Sequence, residues 1–223
     1  MKKNFYSALL LAAAGLQLQP AEAKIIHLLP RPQQITAGTG QPFALQRAVA
    51  LTDPTGCQLL RGFLEQYGCT VDENAAARIT VELVDDIEGN FDYRLDGFPA
   101  EGYTLAIDAN SVSIRALNAT GVIRAVQTLA QLAEGYDEGA AALEALTMTD
   151  FPAFKLRGYM HDVGRSFLSF DELKKQIDLF ARFKVNVFHW HLTEKLAWRF
   201  EVKAYPQLTA AENMIRYPGQ YYT

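Results

Sequence analysis

Apolar residues in the first 150 positions follow the two-residue period of strands in some segments and the helical period in others. The clearest strand pattern is RITVELV, residues 78–84, in which apolar and polar side chains alternate as in a half-buried strand. Similar patterns predict further strands at 25–29, 43–51, 103–107 and 112–117. The last two segments flank the turn-rich sequence Asp-Ala-Asn-Ser, so we predict that they form a β-hairpin.

Two segments have the spacing of amphipathic helices. One is 59–67, and the other begins after Asn118, a residue type that commonly caps helices. In the second, the apolar residues recur at steps of three and four, at Val122, Ile123, Val126, Leu129 and Leu132. We therefore predict that residues 24–149 form an α+β domain, an antiparallel-type sheet with two helices on one face. Asn118-Ala119-Thr120 also matches a glycosylation sequon, but the helix cap is the interpretation that we favour.

The order of patterns changes after residues 135–150, a segment rich in Ala, Gly and Glu that we interpret as a domain boundary. A strand is predicted at 156–160, then a helix that begins at Ser169, and then a strand at 185–192. Ser169 is followed three residues later by Glu172, which is the signature of a capping box. A strand, a helix and a strand within about 30 residues are typical of a βαβ unit with parallel strands.

The N-terminus has the pattern of an export signal. Two lysines precede a short apolar run at 8–14, and Ala21 and Ala23 place small residues at the −3 and −1 positions of a cleavage site. We therefore predict a signal peptide at 1–23 and an exported protein, periplasmic or extracellular. The apolar run is too short to span a bilayer, and no later segment has about 18 consecutive apolar residues, so we predict no membrane span.

Composition excludes some partners and sites. The formal net charge is −4 and no basic run is present, so we predict no nucleic-acid partner.

Cys57 and Cys69 flank the first predicted helix, whose ends lie about 15 Å apart, whereas disulfide Cα atoms lie within about 7 Å. We predict that both thiols are unpaired, and we predict no cofactor. The sequence leaves the oligomeric state open.

The side chains that can carry chemistry concentrate in the second half. His189 and His191 are two residues apart in a predicted strand, so they point to the same face. They are either hydrogen-bonded framework residues of a pocket, substrate contacts, or two ligands of a metal that needs further ligands. The framework interpretation is the one that we favour, and we predict no metal site.

Arg157 lies in a predicted apolar strand, where its charge must be paired or must reach a polar site because burying an unpaired charge is costly. The alternatives are a structural ion pair, for instance with Asp162 or Glu194, and contact with a substrate. Asp162 and Arg165 are spaced to pair with each other. Glu194 and Trp198 follow the second predicted strand, where a pocket would form, although core packing is the commoner use of a tryptophan.

Three consecutive motifs stand out in this half. They are R-G-x-M-x-D-x-x-R from Arg157 to Arg165, NVFHWHLT at 186–193, and W-R-x-E-x-K-x-Y-P-x-L-T at 198–209. Together they resemble the start of the catalytic (β/α)8 barrel of glycoside hydrolase family 20, the β-N-acetylhexosaminidases. The earlier sequence EGYTLAID…VSIRALNATGVIRAVQTLAQL is similar to the non-catalytic α+β domain that precedes this barrel.

The resemblance implies exo-hydrolysis of terminal β-linked GlcNAc or GalNAc from glycans by a substrate-assisted, retaining mechanism. In it the acetamido oxygen attacks the anomeric carbon, while an adjacent Asp–Glu pair orients the acetamido group and acts as general acid and base. Arg157 matches the arginine that binds sugar hydroxyls in this family, which makes it the predicted substrate-binding residue. The possible pocket residues are Asp162, His189, His191, Glu194 and Trp198.

The sequence departs from the family pattern in two places. After Phe151 the only adjacent acidic pair is Asp171-Glu172 at the start of a helix, so we expect the catalytic pair beyond Thr223 and no catalytic residue in this chain. Lys195 stands where family members usually carry a second acidic residue. Because a β/α barrel takes about 250 residues, we expect 150–223 to be an incomplete barrel with exposed apolar surface. The alternative is a complete, non-catalytic glycan-binding or interaction protein that retains the first domain.

Overall fold

The computed structural model describes residues 28–87, 99–134 and 141–223, so the predicted signal peptide lies outside the described residues. The strands are β1 (Gln34–Ala37), β2 (Phe43–Ala44), β3 (Ala48–Thr52), β4 (Thr70–Val71), β5 (Arg78–Leu83), β6 (Tyr103–Ile107), β7 (Ser111–Ala116), β8 (Ala142–Leu143), β9 (Leu146–Asp150), β10 (Gly158–Asp162), β11 (Val187–His191), β12 (Thr193–Glu194) and β13 (Ala197–Trp198). The helices are α1 (Gln58–Gln66), α2 (Ala119–Glu134) and α3 (Phe170–Arg182), with short 3-10 helices at Pro99–Glu101, Pro206–Thr209 and Ala211–Asn213.

Among the described residues, seven strands form one mixed sheet in the order β1-β9-β6-β7-β5-β3-β4. The pairs from β1 to β7 are antiparallel, and the predicted hairpin of β6 and β7 is confirmed. The pairs from β7 to β4 are parallel, so the prediction of an antiparallel-type sheet is wrong for this half. The crossover through α1 returns the chain to the sheet in the same direction and makes β4 and β5 parallel to β3.

The structure departs from the sequence interpretation at three segments. The segment 43–51 is two strands, β2 and β3, and between them Gln46 has a φ of 61°, a left-handed conformation that interrupts a strand. The segment interpreted as a boundary contains β9, which pairs with β1 on one side and with β6 on the other. The predicted strand at 25–29 lies mostly outside the described residues, and Leu28 and Leu29 are not in a strand.

Both α1 and α2 pack on one face of this sheet, as predicted. The buried side chains of the helices meet alternate residues of the strands in a single core, which includes Leu60, Phe63, Leu64, Leu105, Ile114, Val122, Val126 and Leu129. The opposite face carries mainly polar side chains, among them Thr36, Thr104, Ser113, Arg115 and Thr147. Because each fully buried apolar side chain stabilises the fold by about 1.5–3 kcal/mol, this one-sided core holds the unit together.

Asn118 caps α2, which confirms the favoured interpretation of the sequon segment. Its side-chain oxygen accepts hydrogen bonds from the backbone N–H groups of Thr120 at 2.9 Å and Gly121 at 3.1 Å. Cys57 and Cys69 are free thiols. No helix among the described residues combines the length and the apolar character that a membrane span requires.

Residues 158–191 form the predicted βαβ unit. β10 and β11 are parallel, with Gly158 opposite Val187 and Asp162 opposite His191, and α3 connects them. Tyr159 of β10 packs on Phe180 of α3, with ring centroids 4.2 Å apart. Many apolar side chains of this unit are exposed; they include Met160, Ile177, Leu179 and Val187.

The predicted capping box at the start of α3 is confirmed. The Ser169 hydroxyl accepts from the backbone N–H of Glu172 at 3.2 Å, and the Glu172 carboxylate accepts from the backbone N–H of Ser169 at 3.0 Å. We expect Ser169→Ala to lower the free energy of unfolding by about 1 kcal/mol, measured by urea denaturation. Ser169→Thr keeps the hydroxyl and serves as the control; an equal loss in both variants would contradict a capping role.

Candidate functional site

The carboxyl ends of β10 and β11 bring three predicted pocket residues together. Asp162 and His191 lie opposite each other at the ends of the two strands, and Glu194 follows in β12. One side-chain ligand atom from each lies within 4.8 Å of the others, and all three residues are half-buried. We refer to these three residues together with Arg165 as the strand-end cluster.

Arg165 joins the two carboxylates of the cluster. Its guanidinium donates to Asp162 at 3.0 Å and to Glu194 at 2.9 Å, so the predicted pairing of Asp162 with Arg165 is confirmed. The hydrogen bond from Arg165, followed by the one from the backbone N–H of Lys195, lowers the pKa of Glu194. Glu194 is therefore held as a carboxylate that accepts hydrogen bonds, and not as a proton donor near neutral pH.

The two histidines of β11 share one face, as predicted. Their rings stack on that face, with centroids 5.9 Å apart and an interplanar angle of 8°. The Nε2 atom of His191 lies 2.7 Å from the carbonyl oxygen of Thr193. Since a carbonyl oxygen only accepts, Nε2 carries the proton and Nδ1 is left as an acceptor in the neutral ring. His189 is exposed.

The cluster offers more to a hydroxyl-rich ligand than to a cation. Asp162, His191 and Glu194 are the one group among the described residues with the types and spacing of metal ligands. However, Arg165 already donates to an oxygen of each carboxylate and places a positive charge between them, which repels a cation. Two carboxylates, a guanidinium and an imidazole together supply both donors and acceptors for neutral hydroxyl groups.

Trp198 lies in β13, the strand that pairs with the Glu194 strand of the cluster. β12 and β13 pair so that Thr193 is opposite Trp198 and Glu194 is opposite Ala197. The Trp198 ring is half-buried, and its Nε1 atom donates to the carbonyl of Phe200 at 2.7 Å. Its indole N–H is therefore satisfied within the protein, and the ring face is what it can present to a ligand.

Arg157 is the predicted site residue that the structure places away from the cluster. It directly precedes β10, whereas Asp162 ends that strand, so about five residues of strand, roughly 16 Å, separate them. Its guanidinium pairs with Glu101 at 2.6 Å and donates to the carbonyls of Phe154 and Lys184 at 2.7 and 2.8 Å. Arg157 therefore forms an ion pair, as one of the two alternatives predicted. The predicted partners, Asp162 and Glu194, were wrong, because the partner is Glu101. Sugar binding by Arg157 stays a prediction.

Arg157 belongs to a buried polar network between the seven-stranded sheet and the βαβ unit, which we call the interface network. Glu101 also accepts from Arg124, with Nε 2.5 Å from its carboxylate oxygen. Burial alone would raise the pKa of Glu101, but the hydrogen bonds from Arg157 and Arg124 outweigh burial and lower it. A cavity of about 170 Å³ lies against these side chains.

The second part of the interface network centres on Lys184. Its Nζ atom donates to Asp150 at 2.8 Å and to the hydroxyl of Tyr103 at 2.9 Å. Burial lowers the pKa of Lys184, and burial followed by the charge of Asp150 raises that of Tyr103. The Tyr103 hydroxyl therefore keeps its proton and donates to Asp150 at 3.0 Å.

Sequence reasoning missed the role of Arg199. This side chain is completely buried, and it donates to several main-chain carbonyls around the cluster. A signal was present, because Arg199 follows Ala197 and Trp198 in a largely apolar stretch, as Arg157 does in its own segment. An arginine in such a stretch must find partners, whatever its position along the chain.

Two family models match the chain. Residues 26–151 match domain 2 of glycosyl hydrolase family 20, and residues 154–223 match the catalytic domain of that family. The chain is 34% identical over 200 residues to a beta-hexosaminidase of Porphyromonas gingivalis, which covers 85% of this chain and 25% of that protein. It is 31% identical over 198 residues to a beta-N-acetylhexosaminidase of Cellulomonas fimi, covering 83% of this chain and 38% of that protein.

Solved structures give a similar result. The beta-N-acetylhexosaminidase from Bacteroides fragilis superposes with a TM-score of 0.66 at 29% identity, covering 86% of this chain and 39% of that one. The chain therefore spans between about a quarter and two fifths of the length of these three proteins, which are covered to 25%, 38% and 39%. Because the model of domain 2 alone matches more than half of the residues, the chain belongs to glycosyl hydrolase family 20.

Proposed function

We propose that this chain forms the front part of a β-N-acetylhexosaminidase that removes terminal β-linked GlcNAc or GalNAc from glycans. The observation that carries the proposal is the strand-end cluster, which lies at the carboxyl edge of a parallel strand pair within the segment that matches the family's catalytic domain. Active sites of β/α barrels form at this edge. We accordingly interpret β10, α3 and β11 as the first strand, helix and strand of such a barrel.

The cluster supplies groups that bind and orient a sugar. Glu194, held ionised by Arg165, accepts a hydrogen bond from a hydroxyl group, and Nδ1 of His191 offers a second acceptor. Arg157 uses three of its five N–H groups on protein acceptors. We propose that the remaining two donate to a hydroxyl of a sugar bound at the start of β10.

Asp171-Glu172, the one adjacent acidic pair after Phe151, does not offer the acid and base of the reaction. The acidic pair Asp171-Glu172 belongs to the capping box of α3, where hydrogen bonds from Ser169 lower the pKa of Glu172. A carboxyl group that is so engaged and ionised is a poor general acid. We therefore propose that this chain contributes binding groups, while the catalytic Asp–Glu pair comes from residues other than these.

The same observation favours a second candidate, a non-catalytic glycan-binding protein. Both candidates place sugar binding at the strand-end cluster, and they differ in whether an Asp–Glu pair completes the site. The nucleotide sequence that follows the codon of Thr223 separates them. An in-frame continuation with an Asp–Glu stretch supports the hydrolase, and a stop codon at that point supports the binding protein.

We expect purified residues 24–223 to bind N-acetylglucosamine weakly and to release no chromophore from a chromogenic β-GlcNAc substrate. Binding is measured by NMR titration, in which the ring signals of His191 and the carboxyl signal of Glu194 shift as sugar is added. Mannitol at the same concentration is the control for an unspecific effect of hydroxyl groups, and Glu194→Gln is expected to weaken binding. Turnover by the pure chain would contradict the missing acid and base, and unperturbed cluster signals would contradict the sugar site.

A further inference from the structure

Arg199 is the largest of the fully buried residues that the structure describes, and its exposure is 0%. Its hydrogen-bond partners in the described part of the chain are uncharged: five main-chain carbonyl groups and the sulfur of Met214. The carbonyls are those of Val163 (from Nε, 2.9 Å), Tyr217 and Gln220 (from Nη1, 2.9 and 2.8 Å), and Gly164 and Arg216 (from Nη2, 3.3 and 2.7 Å). All five N–H groups of the guanidinium are thus used.

Filling buried space does not explain why an arginine occupies this position. Desolvating a cation is costly, and an apolar side chain of similar volume would fill the same space without that cost. What only an arginine can do here is to donate in several directions from one rigid plane, which lysine cannot copy. Arg199 uses this property to join three segments: its own position after β13, the turn at 163–164, and the loop at 214–220.

The loop that Arg199 holds is conformationally restricted. Tyr217 has a φ of 46° and Gly219 a φ of 73°, both in the left-handed region, which is unfavourable for a tyrosine. The aromatic rings of Phe167 and Tyr217 lie 5.5 and 5.7 Å from the guanidinium carbon. A strained backbone persists only where its surroundings fix it, and the three carbonyl groups bound from this loop do so.

The turn that Arg199 holds packs directly against the strand-end cluster. A Cβ atom at Gly164 would lie 2.8 Å from the Cβ of Glu194 and 3.1 Å from the Oδ1 of Asp162. Within the same turn, the backbone N–H of Arg165 donates to Oδ1 of Asp162 at 3.1 Å. A displacement of this turn therefore changes the distances from the Arg165 guanidinium to the carboxylates of Asp162 and Glu194.

We propose that Arg199 is the positioning residue of the strand-end cluster, acting through the carbonyl groups of Val163 and Gly164. It holds the turn so that Arg165 reaches Asp162 and Glu194 together, and its own hydrogen bonds go to main-chain carbonyls and to Met214. Its effect on catalysis rests on the proposed function. Its effect on the geometry of the cluster does not, so the test is made on Glu194 itself.

The experiment follows the titration of the Glu194 carboxyl carbon by NMR in the full chain. Arg165→Gln removes the direct hydrogen bond and should raise the titration midpoint of Glu194. Arg199→Ala should raise it by a comparable amount, although it leaves Arg165 in place. Guanidinium ion at millimolar concentration should reverse the shift in Arg199→Ala, and sodium chloride at equal ionic strength should not.

The matched control is Arg124→Ala, which removes another buried arginine, in the interface network. This variant should lose stability but leave the midpoint of Glu194 where it is in the unaltered chain. The same unchanged midpoint in folded Arg199→Ala and Arg199→Lys would overturn the proposal, since it would show a purely structural role.

A second variant keeps the test decisive if Arg199 variants do not fold. Gly164→Ala leaves Arg199 intact and pushes the turn away from Glu194 through the new Cβ atom. We expect this variant to raise the midpoint of Glu194, as Arg165→Gln does. If Gly164→Ala is folded and the midpoint is unchanged, the turn does not set the geometry of the cluster and the proposal fails.

Discussion

Replacing Lys184 with methionine is expected to lower the free energy of unfolding by about 3–5 kcal/mol, because it leaves the Asp150 carboxylate buried without its cation. The side chains of Lys184 and Asp150 are each 9% exposed and lie 2.8 Å apart. Lys184 has a φ of 60°, and methionine meets the same backbone strain, so the comparison isolates the charge. The measurement is urea unfolding of the purified chain followed by circular dichroism.

The control for this prediction is a double-mutant cycle. Lys184→Met/Asp150→Leu replaces the pair with apolar groups and should lose less stability than the sum of the two single variants. Lys174→Met, at an exposed position of α3, should change stability by no more than about 0.5 kcal/mol. If the effects of the two buried substitutions are simply additive, the ion pair is not what holds the βαβ unit to the sheet.

Replacing Arg157 with alanine is expected to lower the free energy of unfolding by about 2–3 kcal/mol at neutral pH. The loss is smaller than for Lys184 because Glu101 keeps its second partner, Arg124. The pKa of Glu101 is lowered in the folded chain, so its contribution is present above the ordinary glutamate pKa and is lost as pH falls through the lowered value. Arg157→Ala should therefore lose less of its stability on acidification than the unaltered chain, as measured by urea unfolding across the acid range.

Glu101→Gln separates the two roles considered for Arg157. If Arg157 acts only in the interface network, both variants lose stability and both bind N-acetylglucosamine like the unaltered chain under conditions where they are folded. If Arg157 binds the sugar, Arg157→Ala loses binding and Glu101→Gln retains it. Equal loss of binding in both variants would indicate instead that the interface network orients Arg157 for the sugar.

The local elements were largely predictable. The first helix was predicted at 59–67 and is found at Gln58–Gln66, and the hairpin of β6 and β7 was predicted almost to the residue. The reason is that helical and strand periods, caps and turns act over a few neighbouring residues. Among the candidate site residues, the shared face of His189 and His191 followed from the same local geometry.

The pairings between distant segments were not predictable in this way. β9 is a short strand at the end of the segment that was interpreted as a domain boundary, and its place between β1 and β6 depends on both neighbours. Arg157 was singled out correctly as an arginine that needs a partner, but that partner, Glu101, lies 56 residues earlier in the chain. A charged residue signals that a partner exists, and its sequence context does not say which carboxylate the fold will bring close.

The sequence by itself determined the two helices of the first domain, the β6–β7 hairpin, the caps of α2 and α3, the parallel βαβ unit and the placement of polar side chains at its strand ends. Each of these depends on interactions within a few residues or on the handedness of a single crossover. Only the tertiary structure decided that half of the sheet is parallel, that Arg157 lies in the interface network, and that Arg199 binds the turn beside the strand-end cluster. Those features depend on which distant backbone and side-chain groups the packed core brings within hydrogen-bond distance.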